Sequence, residues 1–97
     1  MDGGPIIRRR IAFYGAVQGV GFRWRARHAA EAAGVTGWVK NEDDGSVTME
    51  VQGREAQIDA VIEMIDRGPY IDIERMEVRT LPLREDERGL SVRVDRW

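Results

Sequence analysis

The order of hydrophobic and polar residues along the chain predicts a strand followed by a helix near the N-terminus. Residues 7–14 alternate between two faces, which is the period-two pattern of a strand with one side turned inward. Residues 22–33 repeat small and apolar side chains three and four positions apart, as an amphipathic helix does. Gly34 stands where the C-terminal cap of this helix belongs, so the pattern predicts both of its ends.

The middle of the chain predicts a hairpin. Residues 35–40 contain Val and Trp and favour a short strand. Residues 41–45 form a turn that closes with Asp-Gly, a common hairpin signal. Residues 46–52 alternate again, and their apolar members are expected to face inward; these are Val47, Met49 and Val51.

The last third predicts a second helix and two more strands. Residues 54–67 place isoleucine and valine at helical spacing, and Gly-Pro ends the pattern. Residues 70–80 alternate, with Ile71, Ile73, Met76 and Val78 inward and a change of phase near Glu74 that suggests a bulge. Residues 82–89 are charged and resemble a loop, and alternation resumes from Leu90 through Val94.

This order of elements is that of a doubled split βαβ unit with one extra strand. It predicts the α+β class and a ferredoxin-like sandwich, with two helices on one face of a mostly antiparallel sheet of four to five strands. The length favours a single domain over residues 1–97, because domains run from about 50 to 250 residues. In this topology the hairpin brings the end of the second strand to the same sheet edge as the end of the first.

Composition narrows the classes of protein. The chain has 33% charged and 42% hydrophobic residues, as globular domains do, and it has no cysteine for a disulfide or a thiol nucleophile. No apolar run approaches the roughly 20 residues that span a membrane, and no signal peptide is visible, so a cytoplasmic location is expected. The net charge of −2 disfavours nonspecific nucleic-acid binding.

Residues 15–23 are the first candidate for chemistry. Three glycines lie within seven positions, and Arg23 follows in the first turn of the predicted helix. Glycines let the backbone N–H groups turn toward an anion, the helix dipole adds positive potential, and a guanidinium fits two phosphate oxygens at once. The stretch is neither a Walker P-loop nor a dinucleotide fingerprint. Taken alone, an ordinary strand-to-helix connection explains it at least as well.

Asn41, at the end of the second predicted strand, is the second candidate. Its amide can donate and accept hydrogen bonds, so it can hold a water molecule in one orientation. An asparagine before Asp-Gly is more commonly a turn or capping residue, and that use stays open here. The doubled split βαβ topology is the arrangement that lets Asn41 and Arg23 converge.

Other polar residues are interpreted structurally. His28 lies on the polar face of the first helix and is expected to be solvated, and the acidic pair Asp43 and Asp44 is expected to form the turn rather than bind a metal. The arginines at 8–10 could suggest RNA binding on the sheet. That mode needs exposed aromatic residues at strand centres, and only Tyr14 is suitably placed.

Two linked motifs resemble those of the acylphosphatase family. Residues 17–23 read Val-Gln-Gly-Val-Gly-Phe-Arg, and residues 34–47 contain Gly-Trp-Val-Lys-Asn followed by Asp-Gly-Ser-Val. The family pattern is V-Q-G-V-x-F-R, then G-W-V-x-N-x-x-D-G-x-V, and both blocks are present in order. The resemblance covers nearly the whole chain. Leu90 replaces the usual aromatic residue and the chain ends in Trp97 rather than near a tyrosine, which we expect to affect packing rather than chemistry.

The resemblance implies hydrolysis of the carboxyl–phosphate anhydride of a small-molecule acyl phosphate, giving a carboxylate and inorganic phosphate. Arg23 would bind the phosphoryl group, Asn41 would orient the attacking water, and loop amides would cradle the phosphoryl oxygens. The residues of this phosphate-binding loop are Gln18, Gly19, Val20, Gly21 and Phe22. No metal or cofactor is implied, and no nucleic-acid or membrane partner. Phosphate is expected to inhibit as product, and the protein to be a monomer.

Two alternatives compete with this interpretation. A noncatalytic or regulatory ferredoxin-like module could keep the anion site, but it would have no need of Asn41. The chain could instead be the N-terminal domain of a larger carbamoyl-phosphate-handling enzyme, which is disfavoured because it begins with Met1 and ends near the family's length. Trp24 could line the acyl side of the site, although packing under a loop is the favoured use, and Trp38 is expected to pack on the sheet.

Overall fold

The computed structural model describes residues 4–94, which form five strands and two helices. The elements in chain order are β1 (Ile6–Ala16), α1 (Phe22–Ala33), β2 (Thr36–Asn41), β3 (Val47–Arg54), α2 (Glu55–Asp66), β4 (Asp72–Leu81) and β5 (Leu90–Arg93). Every predicted element is present, and the observed ends lie within two residues of the predicted ones. Neither helix of this part of the chain is long and apolar enough to cross a membrane.

The sheet has the order β4-β1-β3-β2-β5, in which the β2–β5 pair is parallel and the other neighbours are antiparallel. This confirms the predicted ferredoxin-like sandwich and its mostly antiparallel sheet. Because β1 and β2 both run antiparallel to β3, they run parallel to each other and end at the same edge. Val47 lies opposite Phe13 on one side and Asn41 on the other. Asn41 therefore lies two strand spacings, about 10 Å, from Phe13.

The core lies between the helices and one face of the sheet. The predicted inward residues of β3, Val47, Met49 and Val51, are fully buried. Small residues of α1 such as Ala26 let this helix pack closely on the strands. The ring of Phe22 meets that of Phe13 edge to face at 4.9 Å. These contacts fix the N-terminus of α1 against the end of β1.

The prediction for β4 is partly wrong. Met76 and Val78 share a sheet face with the core residues of β1, but they are 42% and 51% exposed. β4 is an edge strand, so these side chains lie at the rim of the helical layer instead of beneath it. The predicted bulge is present: Tyr14 pairs with Arg75 and the next residue, Gly15, pairs with Ile73, which leaves Glu74 unpaired.

The other sheet face carries a buried arginine. Arg8 falls on the predicted outward face of β1 but is fully buried there. Its Nε donates to Glu50 at 2.9 Å and its Nη1 to Glu87 at 2.7 Å, and the Glu87 hydrogen bond is the main reason that the pKa of Arg8 is raised. Trp38 packs on this face as predicted, with the guanidinium carbon of Arg93 4.3 Å from its ring centre. This face of the sheet thus carries the buried Arg8–Glu87 pair and the Arg93–Trp38 contact.

Candidate active site

A cleft of about 740 Å³ opens where the β1–α1 loop, one face of α1 and the strands β2 and β5 meet. This volume lies within the range of about 300–1,000 Å³ that small-molecule sites occupy. Arg23 and Asn41 both line the cleft, so the topology brings the two predicted site residues together. Gly19, Gly21 and Phe22 of the predicted loop line it as well, whereas Gln18 and Val20 do not.

The loop backbone requires glycine at two positions. Gly19 has φ 74° and Gly21 has φ 84°, both in the left-handed region that other residues rarely adopt. A Cβ atom at either position would meet no other atom within 4 Å. Glycine is therefore needed here for backbone conformation and not for lack of room. The same open space leaves the loop backbone accessible from the cleft.

The N-terminus of α1 is open to an anion. Gly21 is its N-cap, no side chain caps it, and its first turn contains no acidic residue. The first amides of a helix have no intrahelical acceptor, and the helix dipole makes this end positive. Arg23 is the second residue of α1, and no residue in the range 4–94 forms a hydrogen bond or ion pair with its guanidinium. Both the amides and the guanidinium can therefore bind a phosphoryl group.

Asn41 is half-buried at the end of β2, and its side chain makes no hydrogen bond within the described part of the chain. The following turn is held by other groups. Asp44 accepts from the Ser46 amide at 2.9 Å and from the Ser46 hydroxyl at 2.6 Å, and the hydroxyl is the main reason that the pKa of Asp44 is lowered. Asp44 and the exposed Asp43 thus belong to the turn, as predicted. The turn does not need the Asn41 amide, which is available to a ligand or a water.

Gln18 joins the loop to the hairpin. Its Nε2 donates to the carbonyl oxygen of Glu42 at 2.7 Å and to that of Ser46 at 2.8 Å. These two carbonyls border the turn that follows Asn41. The side chain of Gln18 therefore sets the position of the hairpin relative to the phosphate-binding loop, a contact that the motif alone did not indicate.

Sequence reasoning offered Trp24 as part of the site only as the less favoured alternative, and it did not place Arg27, His28 or Glu31 there. Trp24 is 63% exposed and lines the cleft, so the favoured prediction that it packs under a loop is wrong. His28 is exposed, as predicted, but its ring lies against Trp24 with a centroid distance of 4.0 Å. Arg27 and Glu31 also line the cleft, one and two turns beyond Arg23. Their spacing of four residues was the signal that they share its face of the helix.

The strand β5 closes the side of the cleft opposite α1. Leu90 is 9% exposed, so it belongs to the core, but it also lines the cleft together with Val92. The replacement of an aromatic residue by Leu90 therefore changes the wall of the site as well as the packing. Trp97, the other departure from the family pattern, lies outside the described residues.

The residues of this site do not form an evident metal centre. Within residues 4–94 there is no group of three or more histidine, aspartate or glutamate side chains arranged to hold a metal ion. The groups that the cleft offers are two guanidiniums, one amide, free backbone N–H groups, an aromatic pair and the carboxylate of Glu31. The guanidiniums and N–H groups bind anions and position neutral molecules by hydrogen bonding.

Comparison with known proteins gives the same family from sequence and from structure. The family model for acylphosphatase matches residues 9–92. The acylphosphatase of Geobacillus kaustophilus (strain HTA426) is 42% identical over 86 residues, which cover 88% of this chain and 92% of the relative. That of Thermococcus kodakarensis is 39% identical over 86 residues, covering 88% and 90%. The crystal structure of acylphosphatase from Bacillus subtilis has a TM-score of 0.80 at 32% identity, covering 89% and 97%.

The fold also occurs inside a longer protein. The crystal structure of full-length HypF in its phosphate- and nucleotide-bound form has a TM-score of 0.78 and 30% identity to this chain. The match covers 91% of this chain and 12% of that protein. The same architecture thus exists both in chains of about this length and as one part of a larger chain.

Proposed function

Because the chain belongs to the acylphosphatase family, its substrate is a small-molecule acyl phosphate, and we propose that Arg23 and Asn41 carry out the reaction in this cleft. The observation that supports the proposal is that both side chains line one cleft from different elements, and that neither has a partner within the described chain. Arg23 binds the phosphoryl group and Asn41 orients the attacking water.

Binding of the phosphoryl group uses the N-terminus of α1. Backbone N–H groups of residues 18–22 and the fork of Arg23 donate to the three phosphoryl oxygens, and the helix dipole favours their negative charge. No acidic side chain in the first helical turn competes for these donors. The donors keep their positions during the reaction, so they stabilise the charge that develops on the phosphoryl oxygens without reorganisation.

The chemical step is an in-line displacement at phosphorus. The amide of Asn41 holds a water so that its oxygen forms a bond to phosphorus while the bond from phosphorus to the acyl oxygen breaks. The electron pair of that bond leaves with the carboxylate, and the water proton passes to a phosphoryl oxygen. A carboxylate is a stable leaving group, so no general acid is needed, and catalysis rests on positioning and charge stabilisation.

The test is hydrolysis of benzoyl phosphate, followed by ultraviolet absorbance in the presence of EDTA. Arg23→Gln should weaken inhibition by inorganic phosphate and lower kcat/KM together. Asn41→Ala should lower kcat by about 100- to 1,000-fold, the usual effect of losing one preorganised contact, with phosphate inhibition nearly unchanged. The two variants thus separate binding of the phosphoryl group from activation of water.

Arg79→Gln is the matched control, because Arg79 is exposed on β4 and does not line the cleft. This variant should retain full activity. A folded wild-type protein without turnover would overturn the proposal, and full activity of Asn41→Ala would remove the water-orienting role. Loss of phosphate inhibition in Asn41→Ala would show instead that Asn41 binds the phosphoryl group.

Three further expectations follow from the proposal. Inorganic phosphate binds the same groups as the substrate, so it should inhibit competitively. All the groups used come from one chain, which favours an active monomer. A cytoplasmic location, where metabolic acyl phosphates are formed, stays a prediction.

A further inference from the structure

The cleft extends well beyond the place where a phosphoryl group would bind. Arg23 and the N-terminus of α1 lie at one end, while Arg27, His28 and Glu31 line the cleft further along the same helix. An acyl group attached to a phosphoryl group at Arg23 has this helix face beside it. The side chains of that face therefore meet the acyl group and can select among substrates.

Arg27, like Arg23, lines the cleft and has no partner within residues 4–94. Most described arginines bind a carboxylate or a carbonyl oxygen; these are Arg8, Arg9, Arg10, Arg25, Arg67, Arg75 and Arg84. Arg27 is exposed and forms neither an ion pair nor a hydrogen bond within residues 4–94. Glu31, one turn further, lines the same cleft but lies beyond ion-pair distance. A free guanidinium that lines a small-molecule cleft is a site for an anionic group.

Trp24 and His28 form the adjacent part of the wall. Their rings are 4.0 Å apart with an interplanar angle of 39°, and Trp24 is largely exposed to the cleft. Residues four apart in sequence are neighbours along one face of a helix. Trp24 and His28 therefore lie side by side with Arg23 and Arg27 along α1. The wall therefore places an exposed indole, packed on the His28 ring, next to a positive charge.

We propose that this face of α1 is an acyl subsite that prefers acyl phosphates whose acyl group carries a second anion, a carboxylate, which binds Arg27. The proposal rests on the proposed function, since it places the phosphoryl group at Arg23. The acyl chain or ring lies against Trp24 and His28. The subsite thus assigns this enzyme to phosphates of dicarboxylic acids in preference to those of monocarboxylic acids.

The spacing of the two arginines sets the length of the preferred acyl group. Arg23 and Arg27 are one turn apart, about 6 Å along the helix axis. A four-carbon dicarboxylic acyl chain or a meta-substituted benzoyl group spans a similar distance between phosphorus and the second carboxylate. Glu31 follows about 6 Å further along the axis and would repel the carboxylate of a longer chain. The charges along α1 thus favour short diacids.

The experiment compares two substrates of nearly the same shape, 3-carboxybenzoyl phosphate and 3-carbamoylbenzoyl phosphate, which differ in that the ring substituent is an anion in the first and a neutral amide in the second. Each kcat/KM is divided by the spontaneous hydrolysis rate of the same compound, which removes the difference in intrinsic reactivity. We expect the wild-type enzyme to prefer the carboxylate roughly 3- to 10-fold, the size of a partly exposed charge-assisted contact. The preference should arise in KM and should weaken in 0.5 M salt because salt screens exposed charges.

Arg27→Gln should abolish the preference, and Arg27→Lys should keep part of it. Arg79→Gln, which removes one exposed and remote arginine, should keep all of it. Equal use of both substrates by the wild type overturns the acyl subsite, and so does a preference that survives Arg27→Gln. The comparison of the two substrates on the wild type does not depend on whether any variant folds.

Benzoyl phosphate serves as the third substrate and separates the two proposals. If it is not hydrolysed either, the proposed function fails. Turnover of benzoyl phosphate without a carboxylate preference removes the acyl subsite alone.

Discussion

At the scale of single residues, Gln18 uses one amide nitrogen to hold two carbonyl oxygens of the hairpin turn, those of Glu42 and Ser46. The neighbour of Glu42 is Asn41, whose own side chain has no protein hydrogen bond within residues 4–94. The position of Asn41 therefore depends on the backbone of β2 and on the turn that Gln18 holds. Gln18 is in this sense a positioning residue for Asn41 and for the water that we propose it orients.

We predict that Gln18→Ala lowers kcat for benzoyl phosphate while leaving inhibition by inorganic phosphate nearly intact. The variant keeps the loop backbone that we propose binds the phosphoryl group, but it loses the two hydrogen bonds from Gln18 to the hairpin that carries Asn41. Two carbonyl oxygens lose a donor, so stability should fall by about 1–3 kcal/mol in urea unfolding. If stability falls but kcat does not, Gln18 is purely structural. A matched fall in phosphate affinity would place its effect on the loop instead.

The motif predicted Arg23 and Asn41 but not the role of the Gln18 side chain or of Arg27. The partners of Gln18 are backbone carbonyls 24 and 28 residues away, and a carbonyl looks the same in every sequence. Arg27 is one of 14 arginines, and its identity carries no signal until its neighbours are known. Arg27 becomes a candidate because it lines the cleft and, like Arg23, has no partner within the described chain, which depends on the placement of every surrounding carboxylate.

At the scale of elements, the segment between β4 and β5 is attached to the sheet by the Glu87 carboxylate and by hydrogen bonds between the Arg84 backbone and the Gln52 side chain. Glu87 accepts two hydrogen bonds from Arg8, at 2.7 and 3.1 Å. Burial acts to raise the pKa of Glu87, but the hydrogen bonds from Arg8 and Thr36 and the positive charge of Arg8 outweigh it, so its pKa is lowered. The segment leads into Leu90, so this contact also helps to place the β5 wall of the cleft.

We predict that Glu87→Gln lowers stability at pH 7 by about 1–3 kcal/mol, because Arg8 stays buried with only part of its countercharge. A glutamate with a lowered folded-state pKa stabilises the protein fully above its unfolded value, near 4.5. That contribution is lost as the pH falls through the folded-state pKa. The difference in urea stability between wild type and variant should therefore be constant above about pH 5 and shrink in more acidic solution.

The matched control is Glu85→Gln, in the same segment, since Glu85 is exposed and has no partner among residues 4–94. It should change stability little at any pH. A difference for Glu87→Gln that stays constant down to pH 3 would show that the carboxylate charge is not what stabilises the segment.

The alternation of apolar and polar residues predicted the positions of the strands well but the burial of their side chains less well. Arg8 was assigned to the correct face of β1, but its complete burial depends on a segment that sequence shows only as a charged loop. The opposite error occurred at Met76 and Val78, which have the inward phase but lie on an edge strand. Periodicity reports the face of a strand, whereas burial also depends on what covers that face.

At the scale of the whole molecule, the sheet holds together the elements that contribute to the candidate site. β3 lies between β1 and β2 and fixes the ends of both, with Val47 as the shared partner. The order of predicted elements was enough to foresee this convergence, because few topologies accommodate that order. The cleft itself could not be foreseen, since its volume depends on side chains such as Leu90 and Trp24.

We predict that inorganic phosphate raises the melting temperature, because a ligand that binds only the folded state stabilises the whole fold. At 100 times its Kd the gain is about 2.7 kcal/mol, or roughly 10–20 °C for a domain of this size. Calorimetry at constant ionic strength, with chloride in place of phosphate as the reference, measures the shift. Arg23→Gln should abolish it and Asn41→Ala should retain it, whereas equal shifts with chloride would show a general salt effect.

The two hydrogen bonds of the Gln18 side chain also separate the base of the hairpin turn from its tip. It clamps the hairpin at Glu42 and Ser46, and the amide of Glu42 also donates to the Ser46 carbonyl at 2.9 Å. Residues 43–45 lie outside this clamp and are exposed. The tip protrudes beyond these hydrogen bonds, so it offers a place to graft a peptide epitope or a surface-immobilisation tag beside the candidate site.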